Sequence, residues 1–184
     1  MKIKNIILVI AITTSLLQAD DEKIKQEGIK YINMLGSELK SNLVKKMKED
    51  PSGEAALGFC IGAAKDITVK VNKKLPQHAS VRRAALKYRN ESNKADGVDR
   101  GIMDVYLKKI EKKIFAPDDI VVFKFADTYR VYKPLLTKGA CLKCHGTNVD
   151  KKLKSIITKA YPNDKAMGFV KGDFRGVIVA EIKK

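Results

Sequence analysis

Apolar residues recur at three- and four-residue steps through two long stretches in the first half of the chain. In residues 22–48 this periodicity predicts one long helix, whose apolar stripe comprises Ile24, Ile32, Leu35, Leu39, Leu43 and Met47. The sequence Asp50-Pro51-Ser52-Gly53 breaks the pattern. A second helix is predicted from Glu54 to Asn72, before Pro76. Its stripe comprises Ala56, Leu57, Cys60, Ala63, Ala64, Ile67 and Val71.

Beyond Pro76 the pattern changes to alternation. Residues Ala79 to Tyr88 are predicted to form a strand. Its two faces would carry Ala84, Leu86 and Tyr88 on one side, and Arg83, Lys87 and Arg89 on the other. A polar loop from Arg89 to Gly101 is expected to precede a short amphipathic helix, whose apolar positions are Met103, Tyr106, Leu107 and Ile110.

The last third of the chain is rich in strand-forming residues. The runs Ile120–Phe125 and Thr128–Leu135 flank Ala126-Asp127 and predict a hairpin. A small helix is expected at Lys151–Lys159, and a final strand at Gly176–Ile182 should pair with the hairpin. Because helices come first and a small antiparallel sheet follows, the sequence predicts an α+β fold with long N-terminal helices packed on that sheet.

The N-terminus has the pattern of a secretory signal peptide. Lys2 and Lys4 precede an apolar run from Ile6 to Leu17, and Ala19 provides a small residue at the expected cleavage point. The apolar run is short for a membrane span. We therefore expect residues 1–19 to be removed on export to the periplasm, leaving residues 20–184 as a single domain of 165 residues.

The chain is strongly basic. Its formal charge of +16 falls to +14 without Lys2 and Lys4. An exported protein seldom meets nucleic acid, and the lysines are scattered without aromatic residues between them, so nucleic-acid binding is not expected. Solvated helix faces explain most of this charge. The alternative that stays open is docking to an acidic redox partner or to an anionic membrane surface.

Cys141-Leu142-Lys143-Cys144-His145 is the segment that predicts chemistry. C-x-x-C-H is the attachment motif of a c-type haem: the two thiols form thioethers with the haem vinyl groups, and the histidine binds the iron. One such motif predicts one covalent haem. Haem c is attached outside the cytoplasm by maturation machinery, which agrees with the predicted export. A dithiol of Cys141 and Cys144, or a zinc site of Cys60, Cys141, Cys144 and His145, is less favoured.

The residues alone leave the second iron ligand open. Cys60 is the only other cysteine, but a buried cysteine often packs simply as a small apolar residue. The further candidates are His78, Met34, Met47, Met103 and Met167. The strand face of Arg83, Lys87 and Arg89 is either a solvated face or a site that neutralises the haem propionates, for which Arg83 and Arg89 are the best candidates.

Several segments together resemble a family of exported c-type haem proteins with a PAS-like fold, known as a domain of unknown function. The matching pieces are the alanine-rich helix around Cys60, the segment 83–90 with Asn93, the CLKCHG motif, and the block 161–176 beginning at Tyr161-Pro162. The resemblance implies Cys/His ligation of the haem iron, which maps to Cys60 and His145. It also implies that residues 20–184 form one PAS-like haem c domain.

Together these features predict a periplasmic monohaem c-type cytochrome that transfers electrons or responds to redox state. A thiolate ligand stabilises ferric iron and can protonate and leave after reduction. The alternative is therefore a haem-based sensor in which NO or CO displaces Cys60. An enzyme is the least favoured class, because no acid–base constellation accompanies the motif.

Overall fold

The protein is described here by a computed structural model. It covers the backbone of residues 3–184 and the side chains of residues 20–184. The expected signal peptide, residues 1–19, lies outside the part whose side chains are described. Among the described residues, no helix combines the length and apolar character needed to cross a membrane.

Six helices and four strands make up the described chain. The helices are α1 (Ile3–Glu49), α2 (Glu54–Ile61), α3 (Ala63–Asn72), α4 (Gly97–Glu111), α5 (Leu142–His145) and α6 (Lys151–Ala160). The strands are β1 (Ala79–Ala84), β2 (Val121–Phe125), β3 (Thr128–Leu136) and β4 (Phe174–Lys183). The predicted α+β class, with helices packed on a small antiparallel sheet, is confirmed.

The sheet has the order β1-β4-β3-β2, and every neighbouring pair is antiparallel. The predicted hairpin is present as β2 and β3. The final strand β4 pairs with the hairpin as predicted, but it also pairs with β1 and therefore lies inside the sheet. Burial on both faces explains the run Val177–Ala180, in which no residue is polar.

Helices cover both faces of the sheet. On one face, the core joins α1 and α3 to the strands, with Ile32, Leu35 and Val71 packed against Val131 and Ala180. Gly28 permits the close approach of α1, because a Cβ there would lie 2.4 Å from a methyl carbon of Val131. On the other face, a second core gathers residues of α4 with the strands, and its largest fully buried side chains are Met103, Tyr106 and Tyr132.

The predicted helix over residues 54–72 is wrong in one respect, because it is two helices separated at Gly62. Glycine is a poor helix former, and the two halves have different packing partners. Both helices pack on α1, but α2 also packs on α6 through Leu57, whereas α3 also packs on β1. The interruption leaves Cys60 in the last turn of α2 rather than in the middle of a long helix.

The predicted strand over residues 79–88 is too long. It ends at Ala84, which pairs with Val177, because the backbone of Ala85 instead forms hydrogen bonds with Asn93 and Ala95. Arg89 therefore does not continue the strand face of Arg83. The predicted loop over residues 89–101 is also too long, since α4 already begins at Gly97.

A third, smaller core positions the segment with the C-x-x-C-H motif. Leu57 of α2 packs with Leu153 and Ile157 of α6, and the side chains of Cys144 and Met167 pack against them. The motif thus lies between the end of β3 and the α2–α6 pair, beside the sheet.

Candidate functional site

The C-x-x-C-H motif forms one short helical segment directly after β3. A 3₁₀ turn at Gly139–Cys141 continues into α5, so Cys141, Cys144 and His145 are presented within little more than one turn. Two backbone hydrogen bonds between Thr137 and residues 172–173, each 2.8 Å long, fix the end of β3 to the loop before β4. Both cysteines are partly buried free thiols. Their spacing places two nucleophilic sulfurs on one side of a rigid turn.

The imidazole of His145 has a defined tautomer. Its Nδ1 lies 2.6 Å from the carbonyl oxygen of Ala166, and a carbonyl can only accept, so Nδ1 carries the proton. The lone pair of Nε2 is therefore free to bind a metal. Burial, and then the positive charges of Arg175 and Arg89, lower the pKa of His145 to about 3. The ring is consequently neutral at physiological pH, which is the form that ligates iron.

Cys60 is brought to the same site from the last turn of α2. Burial raises the pKa of its thiol, and the nearby sulfur of Cys144 acts in the same direction. The positive charges of Arg83 and Arg89 oppose this shift. The hydroxyl of Tyr161 donates a 3.2 Å hydrogen bond to the backbone carbonyl of Cys60. The structure therefore gathers a third thiol with the motif, although Cys60 is distant from it in sequence.

Arg89 is the central structural link of the site. Its Nε and Nη2 donate to Asp164 Oδ2 at 3.2 and 3.0 Å, and both side chains are buried, at 8% and 7% exposure. The same Nη2 also donates to the carbonyl oxygens of Cys144 at 2.7 Å and Ala166 at 3.3 Å. The guanidinium thus joins the motif to the loop that orients His145.

Arg83 and Arg175 have no comparable partner. The buried Nε of Arg83 makes no hydrogen bond among the described residues. Arg175 donates a 2.9 Å hydrogen bond to the carbonyl of Lys87, and its guanidinium lies 5.0 Å from the centre of the Phe169 ring. Burial lowers the pKa of both groups, that of Arg175 to about 10 with a further contribution from Arg89 and Arg83. Two half-buried guanidiniums therefore lie at the site without an ion pair within 4.0 Å among the described side chains.

The other candidate ligands are placed differently. His78 is half exposed, contacts Glu27 at 3.2 Å, and precedes the far end of β1, about 16 Å along the strand from Arg83. Met103 belongs to α4 and is fully buried in the core between that helix and the sheet, and Met34 and Met47 lie on α1. Only Met167 shares a cluster with the motif, through Cys144.

The alternative zinc site is not formed by the side chains that the structure describes, since no three His, Cys, Asp or Glu residues among them are close enough to hold a metal ion. The donors present are instead a pair of thiols in one turn, a neutral imidazole, and a third thiol. The thiols can form thioethers or bind a metal, the neutral imidazole can ligate a metal, and the guanidiniums of Arg83 and Arg175 can bind an anion.

Sequence reasoning missed four contributors to this site: Tyr161, Asp164, Ala166 and Arg175. They all fall in the block 161–176, which was singled out only for its resemblance to a family. No local pattern could assign their roles, because their partners lie 21 to 101 residues away in the chain.

Comparison with known proteins supports one family. A family model described as Tll0287-like matches residues 11–182. The crystal structure of the cyanobacterial heme-protein Tll0287 is 23% identical to this chain, with a TM-score of 0.51, over 64% of this chain and 72% of that one. At this identity the likeness shows a shared fold. A search of curated protein sequences gives no match. Since the family model spans nearly the whole sequence, the chain belongs to the Tll0287-like family.

Proposed function

We propose that this protein is an exported monohaem c-type cytochrome with a redox function. Cys141 and Cys144 would hold the haem through thioethers, and His145 and Cys60 would bind its iron. The observation that carries the proposal is the Nδ1–Ala166 hydrogen bond, which leaves Nε2 of His145 free within the turn that presents both thiols. The similarity to a structure described as a heme-protein adds support.

The residues of the site suit this cofactor. When bound, haem supplies an iron that exchanges one electron between its ferric and ferrous states. Arg89 and Asp164 fix the backbone around Cys144 and Ala166, so the histidine ring keeps its orientation in both states. Such a fixed frame reduces the structural rearrangement that would slow electron exchange.

Cys60 would determine the redox potential. A thiolate ligand stabilises ferric iron, so the potential should be low for a c-type cytochrome. The positive charges of Arg83 and Arg89 favour the thiolate, whereas burial disfavours it. Burial is the larger effect, so without the iron the pKa of the thiol stays raised.

The expected location and partners follow from the attachment chemistry. Haem c is attached outside the cytoplasm, so the chain would be exported by residues 1–19 and would meet the haem-maturation machinery in the periplasm. Its net positive charge suits docking to an acidic redox partner protein or an anionic membrane surface.

A haem-based gas sensor is the second candidate. The helix interruption at Gly62 directly follows the turn that carries Cys60, so α2 can respond separately from α3. Burial also raises the pKa of the Cys60 thiol, which favours protonation and loss of this ligand once the iron is reduced. NO or CO would then take the vacated position.

The first experiment tests covalent attachment. The full chain is produced with haem-maturation machinery, and the haem content is measured by its pyridine adduct after extraction with acidic organic solvent. We expect one haem per chain that the solvent does not remove. The variant with Cys141→Ala and Cys144→Ala should lose covalent haem. Extraction of all haem from the unmodified protein would refute the proposal.

The second experiment identifies the distal ligand. Cys60→Ser should change the ferric electron paramagnetic resonance spectrum and raise the midpoint potential. Met167→Leu tests the one other candidate close to the motif, and His78→Ala is the matched control on the far end of β1. We expect both of these variants to keep the original spectrum. A changed spectrum in Met167→Leu alone would assign the ligand to methionine.

The third experiment separates the two functions. Reduced protein is mixed rapidly with NO, with CO, or with an oxidised small acidic cytochrome. Fast electron exchange with slow or weak gas binding supports the redox function. Rapid, tight gas binding with negligible electron exchange would favour the sensor and overturn the redox proposal.

A further inference from the structure

Two positive charges in the site lack a counter-ion. Arg83 and Arg175 form no ion pair within 4.0 Å among the described side chains, whereas Arg89 is paired with Asp164. Residues 1–19 contain no Asp or Glu, so that part of the chain cannot supply a counter-ion from a side chain. Partly removing a charge from water without giving it a partner is unfavourable. The folded chain therefore keeps two guanidiniums in a position that is unfavourable without a ligand.

The two groups belong to one cluster with the proposed haem ligands. Arg175 and His145 both lie against Phe169, with the guanidinium 5.0 Å and the imidazole centre 6.4 Å from the centre of that ring. Arg83 is near enough to Cys60 for its charge to act on the thiol. Arg83 projects from the end of β1, and Arg175 from the start of β4, beside the motif. A ligand that satisfies both must therefore carry negative charge next to the three thiols and the imidazole.

We infer that Arg83 and Arg175 bind the two propionate carboxylates of the haem. This inference rests on the proposed function and assigns the anionic half of the same cofactor. The guanidinium matches a carboxylate in charge and in its paired donors, and two unpaired guanidiniums match two carboxylates. Arg89, which the strand pattern also suggested for this role, is already occupied by Asp164 and by two carbonyls.

The inference predicts opposite effects with and without haem. In the haem-free protein, Arg83→Gln or Arg175→Gln removes a half-buried charge that has no ion-pair partner, so the melting temperature should stay the same or rise. In the covalently loaded protein, the same change removes a charge-assisted contact, and the melting temperature should fall by about 5 °C. Arg100→Gln, on an exposed residue of α4, is the matched control and should change both forms equally.

The thermal measurement has clear contrary outcomes. Equal losses of melting temperature in the loaded and haem-free forms would mean that the two arginines are only structural, and would overturn the inference. The absence of covalent haem in the unmodified protein would instead refute the proposed function. Inorganic phosphate provides a further check: if it stabilises the loaded protein through Arg83, this guanidinium is not occupied by the haem, and the inference is wrong.

A second measurement tests the carboxylates directly. In the Cys141→Ala and Cys144→Ala background, the full chain is titrated with haem and with haem dimethyl ester, whose propionates are uncharged. The quantity to compare is the factor by which esterification weakens binding. This factor should be about tenfold larger when both arginines are present than after the further change Arg83→Gln or Arg175→Gln. A difference below about twofold for both arginines would contradict the assignment.

Discussion

Arg89→Met should strongly destabilise the protein, because Arg89 holds together three parts of the site. The variant keeps an unbranched side chain but removes the guanidinium that contacts Asp164, Cys144 and Ala166. With only 7% of its side chain exposed, Asp164 would remain as a buried carboxylate without its cation. Breaking such a pair costs about 3–5 kcal/mol, and each lost bond to a carbonyl adds up to about 1 kcal/mol.

We expect a net loss of about 4 kcal/mol, since the carbonyl contacts can be partly replaced by water. In a protein of this size, that loss corresponds to a melting temperature about 10 °C lower. Urea denaturation of the haem-free protein measures it without interference from the cofactor. Asp164→Asn, measured alone in the haem-free protein, is the control. It removes the charge, but its amide oxygen can still accept the 2.8 Å hydrogen bond from the Ala166 amide.

The double variant, Arg89→Met with Asp164→Asn, tests whether the isolated carboxylate is the main cost. If the main cost of Arg89→Met is the isolated carboxylate, adding Asp164→Asn should recover about 2 kcal/mol. If Asp164→Asn instead adds to the loss, or if Arg89→Met alone costs under about 1 kcal/mol, the pair does not hold the site together. The loaded protein gives a second readout, because a released Ala166 carbonyl should broaden the ferric resonance signals that depend on the orientation of His145.

Two further predictions follow from particular residues. In the haem-free protein, the folded-state pKa of His145 is about 3 against an ordinary value of 6.5, so the unfolded chain binds more protons between these pH values. The free energy of unfolding should therefore fall as the pH decreases below 6.5, by up to about 1.4 kcal/mol per pH unit. Denaturation at pH 7 and pH 5 should show a smaller change of this free energy in His145→Gln than in the unmodified protein. Gly176→Ala should lower the free energy of unfolding by about 3 kcal/mol, because φ is +140° and a Cβ would lie 2.4 Å from the carbonyl oxygen of Ala84. The control is Gly97→Ala, whose Cβ would meet no atom within 4 Å and which should be nearly neutral in the same denaturation assay.

Hydrophobic periodicity was sufficient to predict the main elements of the fold. The long first helix, the hairpin, the helix after the motif and the last strand each have an apolar pattern of the correct period, and each is present. The pattern could not indicate that the helix is interrupted at Gly62, because apolar residues continue on both sides of it. Helices α2 and α3 share α1 as a packing partner and differ in the second one, which is α6 for α2 and β1 for α3; such partners are not visible in a local pattern.

The site was predictable only where its chemistry is contiguous. Cys141, Cys144 and His145 form a motif whose spacing itself specifies the chemistry, whereas Arg175 follows Phe174 at the start of an ordinary strand. The role inferred for it depends on its position beside Arg83 and Arg89, of which only Arg89 forms an ion pair. Such a charge imbalance is a property of the folded site, and composition alone cannot reveal it in a chain with 37 basic residues.

The loop between α6 and β4 connects the two proposed iron ligands. At one end, the hydroxyl of Tyr161 holds the carbonyl of Cys60; a few residues later, the carbonyl of Ala166 holds Nδ1 of His145. Between them, Asp164 anchors the loop through Arg89. Loss of Cys60 from the iron would therefore disturb the same loop that orients His145. This shared loop gives a physical route from the ligand state to the surface, but it amounts to signalling only if a partner binds the two states with different affinity.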